Sequence, residues 1–102
     1  MKKIVMVTLL LLTSFLGVNG QNVVKGIVLE TDSEKPLEGV FVKIKNTSKS
    51  KITDLNGSFL ITNLQNGTFI LEIKFAGYET QNIPIELAGK TINLGTIFLF
   101  KN

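Results

Sequence analysis

Thr68-Phe69-Ile70-Leu71-Glu72-Ile73-Lys74-Phe75 is the stretch whose reading decides the fold. On an extended chain Phe69, Leu71, Ile73 and Phe75 fall on one side while Ile70, Glu72 and Lys74 fall on the other, the period of two that marks a half-buried β-strand. Val40, Val42 and Ile44 repeat the pattern against Phe41, Lys43 and Lys45. The first set of each is assigned to the core. Phe59 and Ile61 complete the inner layer. Val24 and Val28 flank Gly26 on one face of the first strand, where a glycine marks a close backbone approach or a bulge.

Outward from these runs, short β-rich segments alternate with Gly, Asn, Asp and Pro at intervals of roughly ten residues, which is the pattern of an all-β sandwich. Seven strands are predicted, over residues 23–30, 40–45, 50–53, 58–62, 68–75, 80–87 and 91–100, and no helical period competes with them. In Asp54-Leu55-Asn56-Gly57 the aspartate can bond its own backbone two residues on, and Asn-Gly supplies left-handed conformations, so a hairpin turn is expected. Asn66-Gly67 is read the same way before the fifth strand, Ala76-Gly77 separates the fifth from the sixth, and Lys35-Pro36 leads into the second.

Met1-Lys2-Lys3 followed by apolar residues from Ile4 to Leu16 has the form of a secretory signal peptide. The run is short for a membrane span, which needs about 20 apolar residues. Val18 and Gly20 suit the side-chain pockets of a signal peptidase. Cleavage is therefore expected between Gly20 and Gln21, giving a signal peptide over 1–20 and one domain over 21–102; an uncleaved N-terminal anchor is the alternative. Loss of Lys2 and Lys3 would cut the 11 lysines to 9 against 8 carboxylates, so no basic surface remains for nucleic acid. Cysteine and histidine are both absent. The domain must then hold together by packing rather than disulfides, has no cysteine for lipid attachment, and lacks the usual zinc and copper ligands; no metal and no cofactor is expected.

Five segments taken together resemble one family. They are Lys25-Gly26-Ile27-Val28, Lys35-Pro36-Leu37-Glu38-Gly39-Val40-Phe41-Val42, Thr53-Asp54-Leu55-Asn56-Gly57-Ser58-Phe59, Leu64-Gln65-Asn66-Gly67-Thr68-Phe69 and Phe75-Ala76-Gly77-Tyr78-Glu79. In that order and spacing they resemble the carboxypeptidase regulatory-like domain, over essentially all of residues 23–100. The resemblance implies a seven-stranded Greek-key sandwich of transthyretin-like fold and a non-catalytic module. Such modules follow the catalytic domain of some metallocarboxypeptidases and precede the plug and barrel of many TonB-dependent receptors of Bacteroidota. Within these 102 residues there is no peptidase, plug or barrel.

Each remaining candidate for chemistry has a plainer reading beside it. Asp54 to Gly57 offers one carboxylate where a hard cation wants six to eight oxygens, so it is read as a turn. Asn46, Asn56 and Asn66 open Asn-x-Ser/Thr sequons that sit in tight turns and carry little weight as glycosylation sites. Without histidine, no nucleophile and base assemble from the motifs, and no catalytic residue is assigned. Tyr78, the single tyrosine in a chain without tryptophan, is read as packing over the Gly77 turn rather than as a glycan platform. The last strand, Thr96-Ile97-Phe98-Leu99-Phe100, is apolar on both faces. Phe98 and Phe100 either are covered by the chain's own loops or form a partner surface.

These readings converge on an exported structural or interaction module, in the periplasm or at the cell surface, whose partner is another exported or outer-membrane protein. The mature chain is expected to hold no transmembrane segment. Two alternatives stay open: a truncated leader of a TonB-dependent receptor, and a carbohydrate-binding module.

Overall fold

The computed structural model describes residues 22–102. The expected cleavage point at Gly20 and Gln21 lies outside the described residues. Seven strands form among the described residues, β1 (Asn22–Glu30), β2 (Phe41–Ile44), β3 (Ser50–Ile52), β4 (Ser58–Leu64), β5 (Gly67–Lys74), β6 (Gln81–Leu87) and β7 (Thr91–Leu99). They make a sandwich of two sheets with orders β4-β1-β7 and β3-β2-β5-β6. All pairings are antiparallel except that of the first and last strands, β1 and β7, which run parallel side by side.

Alternation drives this arrangement, because each strand must bury one face against the opposite sheet. Val24 and Val28 from β1, Val42 and Ile44 from β2, Phe59, Ile61 and Leu64 from β4, Leu71 and Ile73 from β5, Ile85 and Leu87 from β6 and Ile97 and Leu99 from β7 form one continuous core with Val40. Gly26 serves as a point of close approach. A Cβ there would lie 3.0 Å from the Phe59 ring, and the β1–β7 register shifts between Lys25 and Ile27 at the same place.

Two of the expected hairpins are not hairpins. β3 pairs with β2 and β4 pairs with β1, so the Asp54–Gly57 turn carries the chain from one sheet to the other. The Asn66-Gly67 turn carries it back, since β5 pairs with β2 and β6. Turn chemistry dictates a tight reversal but not which strands then share hydrogen bonds; that is settled by burial on the two sheets. Thr53 holds the first crossing in place. Its buried hydroxyl donates to the Leu37 carbonyl at 2.6 Å and accepts from the Val40 amide at 2.9 Å.

Strand ends also differ from expectation. β4 continues to Leu64, while Val40, Lys45, Thr80, Phe75 and Phe100 lie outside their strands. Phe69 and Phe75, expected in the core, are half-buried and pack against its margin. Phe69 lines an open cleft at one end of the sandwich, and Phe75, past the end of β5, stacks on Tyr78 with ring centroids 5.5 Å apart.

Candidate functional site

The exposed apolar residues identify the surface on which an interaction could form. On the outer face of β4-β1-β7 the register sets Leu60 opposite Lys25, Ile27 opposite Ser58 and Thr96, and Leu29 opposite Phe98. Ile27 is 41%, Leu60 49% and Phe98 39% exposed. With half-buried Leu29 they make an apolar run that crosses all three strands on the diagonal. A shallow depression of about 270 Å³ between Ile27 and Leu60, floored by Gly26 and Phe59, lies along it. The other outward positions are Val23, Ser58, Thr62, Thr91, Asn93 and Thr96, which leaves Lys25 as the face's only charged side chain among the described residues.

The opposite face is different in kind. Phe41 and Ile52 are exposed there and pair across β2 and β3, but Lys43 stands opposite Glu72 and Lys74 opposite Phe41. Lys45 and Lys74 approach Glu72 to 3.6 and 3.8 Å. An apolar pair set among several charges stays hydrated, whereas an apolar run with a single lysine beside one end gains by being covered.

Of the expected partner surface, Phe98 takes its place in this run and Phe100 does not. The ladder that fixes the face ends at Leu99, and the Phe100 carbonyl accepts from the Glu79 amide at 2.8 Å as the chain crosses toward the other sheet. Sequence reasoning missed Ile27 and Leu60. Their signal was present: each is a large aliphatic residue on the outward phase of a strand whose inward phase is already apolar.

The turn residues hold the loops. Asp54 Oδ1 accepts from the Asn56 and Ser58 amides, each at 2.9 Å, and the Gly57 amide donates to the Asp54 carbonyl at 2.9 Å. Gly57, Gly67 and Gly77 all have positive φ, at 75°, 146° and 87°. The three sequon asparagines sit in turns, and Asn66 Oδ1 accepts from Asn22 Nδ2 at 2.8 Å.

Tyr78 closes the Gly77 turn, its amide donating to the Phe75 carbonyl at 3.0 Å, and its side chain is engaged at both ends. Its ring lies on Phe75, and its hydroxyl donates to the Glu30 carboxylate, which also accepts from Ser33 Oγ at 2.8 Å and lies 3.4 Å from Lys101 Nζ. The Tyr78 and Ser33 hydrogen bonds and the lysine's charge hold Glu30 below the usual carboxylate range, and the carboxylate pushes the Tyr78 phenol up.

Asn22, fully buried, was also not foreseen. Its Nδ2 donates to the Leu64 carbonyl at 2.9 Å as well as to Asn66, and its Oδ1 accepts from the Gly89 and Lys90 amides at 2.7 and 3.3 Å. One amide thereby joins the start of β1 to the β4–β5 and β6–β7 turns.

A TonB-dependent receptor of Formosa agariphila is 36% identical over 90 residues, covering 86% of this chain and 8% of that protein. The TonB-dependent receptor SusC of Bacteroides thetaiotaomicron is 38% identical over 65 residues, covering 64% of this chain and 6% of its own. The chain thus spans less than a tenth of the curated relatives it matches. Among solved structures, a chain of a type II cohesin–X-dockerin complex from Acetivibrio cellulolyticus superposes with TM-score 0.65 at 30% identity, covering 76% of this chain and 56% of that one. A minor pilin of Streptococcus agalactiae superposes with TM-score 0.64 at 19% identity over 83% of this chain and 46% of its own, a likeness of fold alone. The model of the CarboxypepD_reg-like domain matches residues 24–101, nearly the whole of the two-sheet sandwich, and the chain belongs to this carboxypeptidase regulatory-like family.

Proposed function

We propose that the chain is a non-catalytic, exported interaction module that works in the periplasm or at the cell surface, binding another exported or outer-membrane protein through the outer face of β4-β1-β7. The observation that carries this reading is the uncharged diagonal of Leu60, Ile27, Leu29 and Phe98. Covering such a surface removes apolar area from water at roughly 25 cal/mol per Å², with Lys25 as the one charge to desolvate. With no histidine or cysteine, the chain offers no ready nucleophile and base. The Tyr78 ring and hydroxyl are both engaged, which deprives the glycan reading of the platform it would need.

A second reading, the N-terminal extension of a TonB-dependent receptor, is favoured by the two relatives that carry that name. Reading the genome downstream of Asn102 separates it from a free-standing module.

The test is Leu60→Ser combined with Phe98→Ser. Both side chains are about half exposed, so the urea midpoint should fall little, while an exported protein crosslinked to the wild type in its native host should no longer be captured. A folded double variant that keeps every partner of the wild type removes this face from consideration.

A further inference from the structure

β1 and β7, the first and last strands among the described residues, are hydrogen-bonded neighbours and run parallel. The chain therefore enters the ladder at one end, at Asn22, and leaves it at the other, past Leu99. Tension between the two ends of the domain would draw β1 toward its start and β7 toward its finish, in opposite directions along the strand axes. Every bond of the ladder is then loaded at once, in shear. Strands pulled apart from the same end open one bond at a time. We propose that this domain is a tension-bearing link, mechanically stiff between its two ends, independently of any partner on its face.

Three features favour this role over a ladder that is parallel by accident. The ladder is long: seven residue pairs join β1 to β7, three on one side of the register shift and four on the other. It also resists slipping. Moving β7 one residue along β1 would turn Ile97 and Leu99, both buried, to the outside, so the hydrophobic pattern pins the register against load.

The third feature is that both ends are tied to the body of the sandwich. At the entrance, Asn22 is bonded to Leu64, Asn66, Gly89 and Lys90. At the exit, the Thr31 amide and hydroxyl donate to the Leu99 carbonyl at 3.0 and 2.9 Å, which extends the β1–β7 seam one residue past Glu30. Beyond it, the Asn102 amide donates to the Gly77 carbonyl at 3.0 Å and the Phe100 carbonyl accepts from the Glu79 amide at 2.8 Å, both in the β5–β6 connection of the other sheet. The last residues thus clasp the opposite sheet, and fraying of β7 from its end must first break that clasp. β1 is held on its other side as well, by five paired positions along β4, which places the weakest loaded seam at β1–β7. In the curated relatives the matching stretch is 8% and 6% of the protein, so there it is continuous with a much longer chain.

Single-molecule force spectroscopy on the full chain tests this. The chain has no cysteine, so one introduced thiol gives a unique second attachment. In the first geometry handles join the two termini. In the second they join the N-terminus and Lys90→Cys, an exposed position beside the start of β7 that loads the same ladder from one end. At equal loading rate, the first should need a several-fold higher rupture force and should fail in one abrupt event, since forced unfolding reports the barrier rather than the equilibrium stability. Matching urea midpoints for wild type and Lys90→Cys establish that only the direction of pull differs; should that variant melt early, Thr91→Cys takes its place. Equal forces in the two geometries, or stepwise peeling of β7 under end-to-end load, overturn the proposal.

Discussion

Replacing Gly57 with alanine should come close to unfolding the domain, whereas the same change at Gly77 should be mild, although both glycines hold similar positive φ values of 75° and 87°. A left-handed backbone costs a residue with a Cβ about 1–2 kcal/mol, and that is all Gly77→Ala should lose, because nothing lies within 4 Å of its added Cβ. At Gly57 the Cβ would press into the Val28 carbonyl oxygen and come within 3.3 Å of the Leu37 amide and Pro36. Two of these are backbone groups, one of the central strand and one of the loop that follows it, and the third is a proline ring, so none can swing aside. The Val28 carbonyl and the Leu37 amide are themselves hydrogen-bonded at 3.0 Å, and the Val28 amide donates to the Gly57 carbonyl at 2.8 Å. Straining either adds about 1–3 kcal/mol, for a total of about 2–5, against a whole stability of about 4–12 kcal/mol at 0.05–0.15 per residue. Thermal melts should therefore show Gly77→Ala lower by about 4–8 °C per kcal/mol lost and Gly57→Ala lower by several times as much. Asparagine sharpens the comparison. It tolerates the left-handed region, so Gly77→Asn should melt near wild type while Gly57→Asn, still carrying a Cβ, should not. Equal losses at the two sites, or rescue of position 57 by asparagine, would show that backbone conformation alone is at issue there and that the contact with β1 is not.

Asn22→Ala should cost about 1–3 kcal/mol in urea melts, since it strands the Leu64 carbonyl and the Gly89 amide at once, and Asn22→Asp should fare no better because a carboxylate cannot donate to Leu64; a wild-type midpoint for either would refute the anchoring role. The Tyr78–Glu30 bond should make stability depend on pH at both extremes. Glu30's carboxyl is held down, so its stabilisation is complete above the usual carboxylate range and is lost as pH falls through its depressed pKa; Tyr78's phenol is pushed up, so its stabilisation is complete below the usual phenol range and is lost as pH rises through the raised pKa. Tyr78→Phe should abolish the alkaline loss and flatten the acid one without removing it, Ser33 and Lys101 remaining, and melting temperatures measured across pH would expose an unchanged alkaline limb as a contradiction.

Strands were legible in the sequence because alternation is a local signal. Leu71, Glu72 and Ile73 announce their faces whatever they pair with, and all seven strands lie within a few residues of their expected places. The partners of a strand are not local. Asp54 and Gly57 specify a tight reversal, and nothing in those four residues says that the next strand joins the other sheet; that depends on β1 lying between β4 and β7, and its pairing residues on β7 are more than 60 positions away. Asn22 was opaque for the same reason. A polar residue opening a strand reads as exposed until its partners, 42 to 68 residues away, close around it.

The candidate surface shows where sequence reading could have gone further and where it could not. Phe98 drew notice because its strand is apolar on both faces, yet Ile27 and Leu60 break alternation just as plainly in strands already assigned an inner phase. What makes the three residues a surface is their arrangement. β1 must be central, β7 parallel to it and β4 antiparallel for Leu60, Ile27 and Phe98 to fall on one diagonal rather than on three separate edges. Exposed aliphatic residues scattered singly are ordinary, and only adjacency turns them into something a partner can cover. Phe100 illustrates the converse, since continued alternation would have set it beside Phe98, but two backbone hydrogen bonds to Gly77 and Glu79 lead its segment away to the opposite sheet. The same departure that removes Phe100 from the face also closes the clasp at the end of β7, so the residues that bound the apolar surface are those that would anchor the ladder under load.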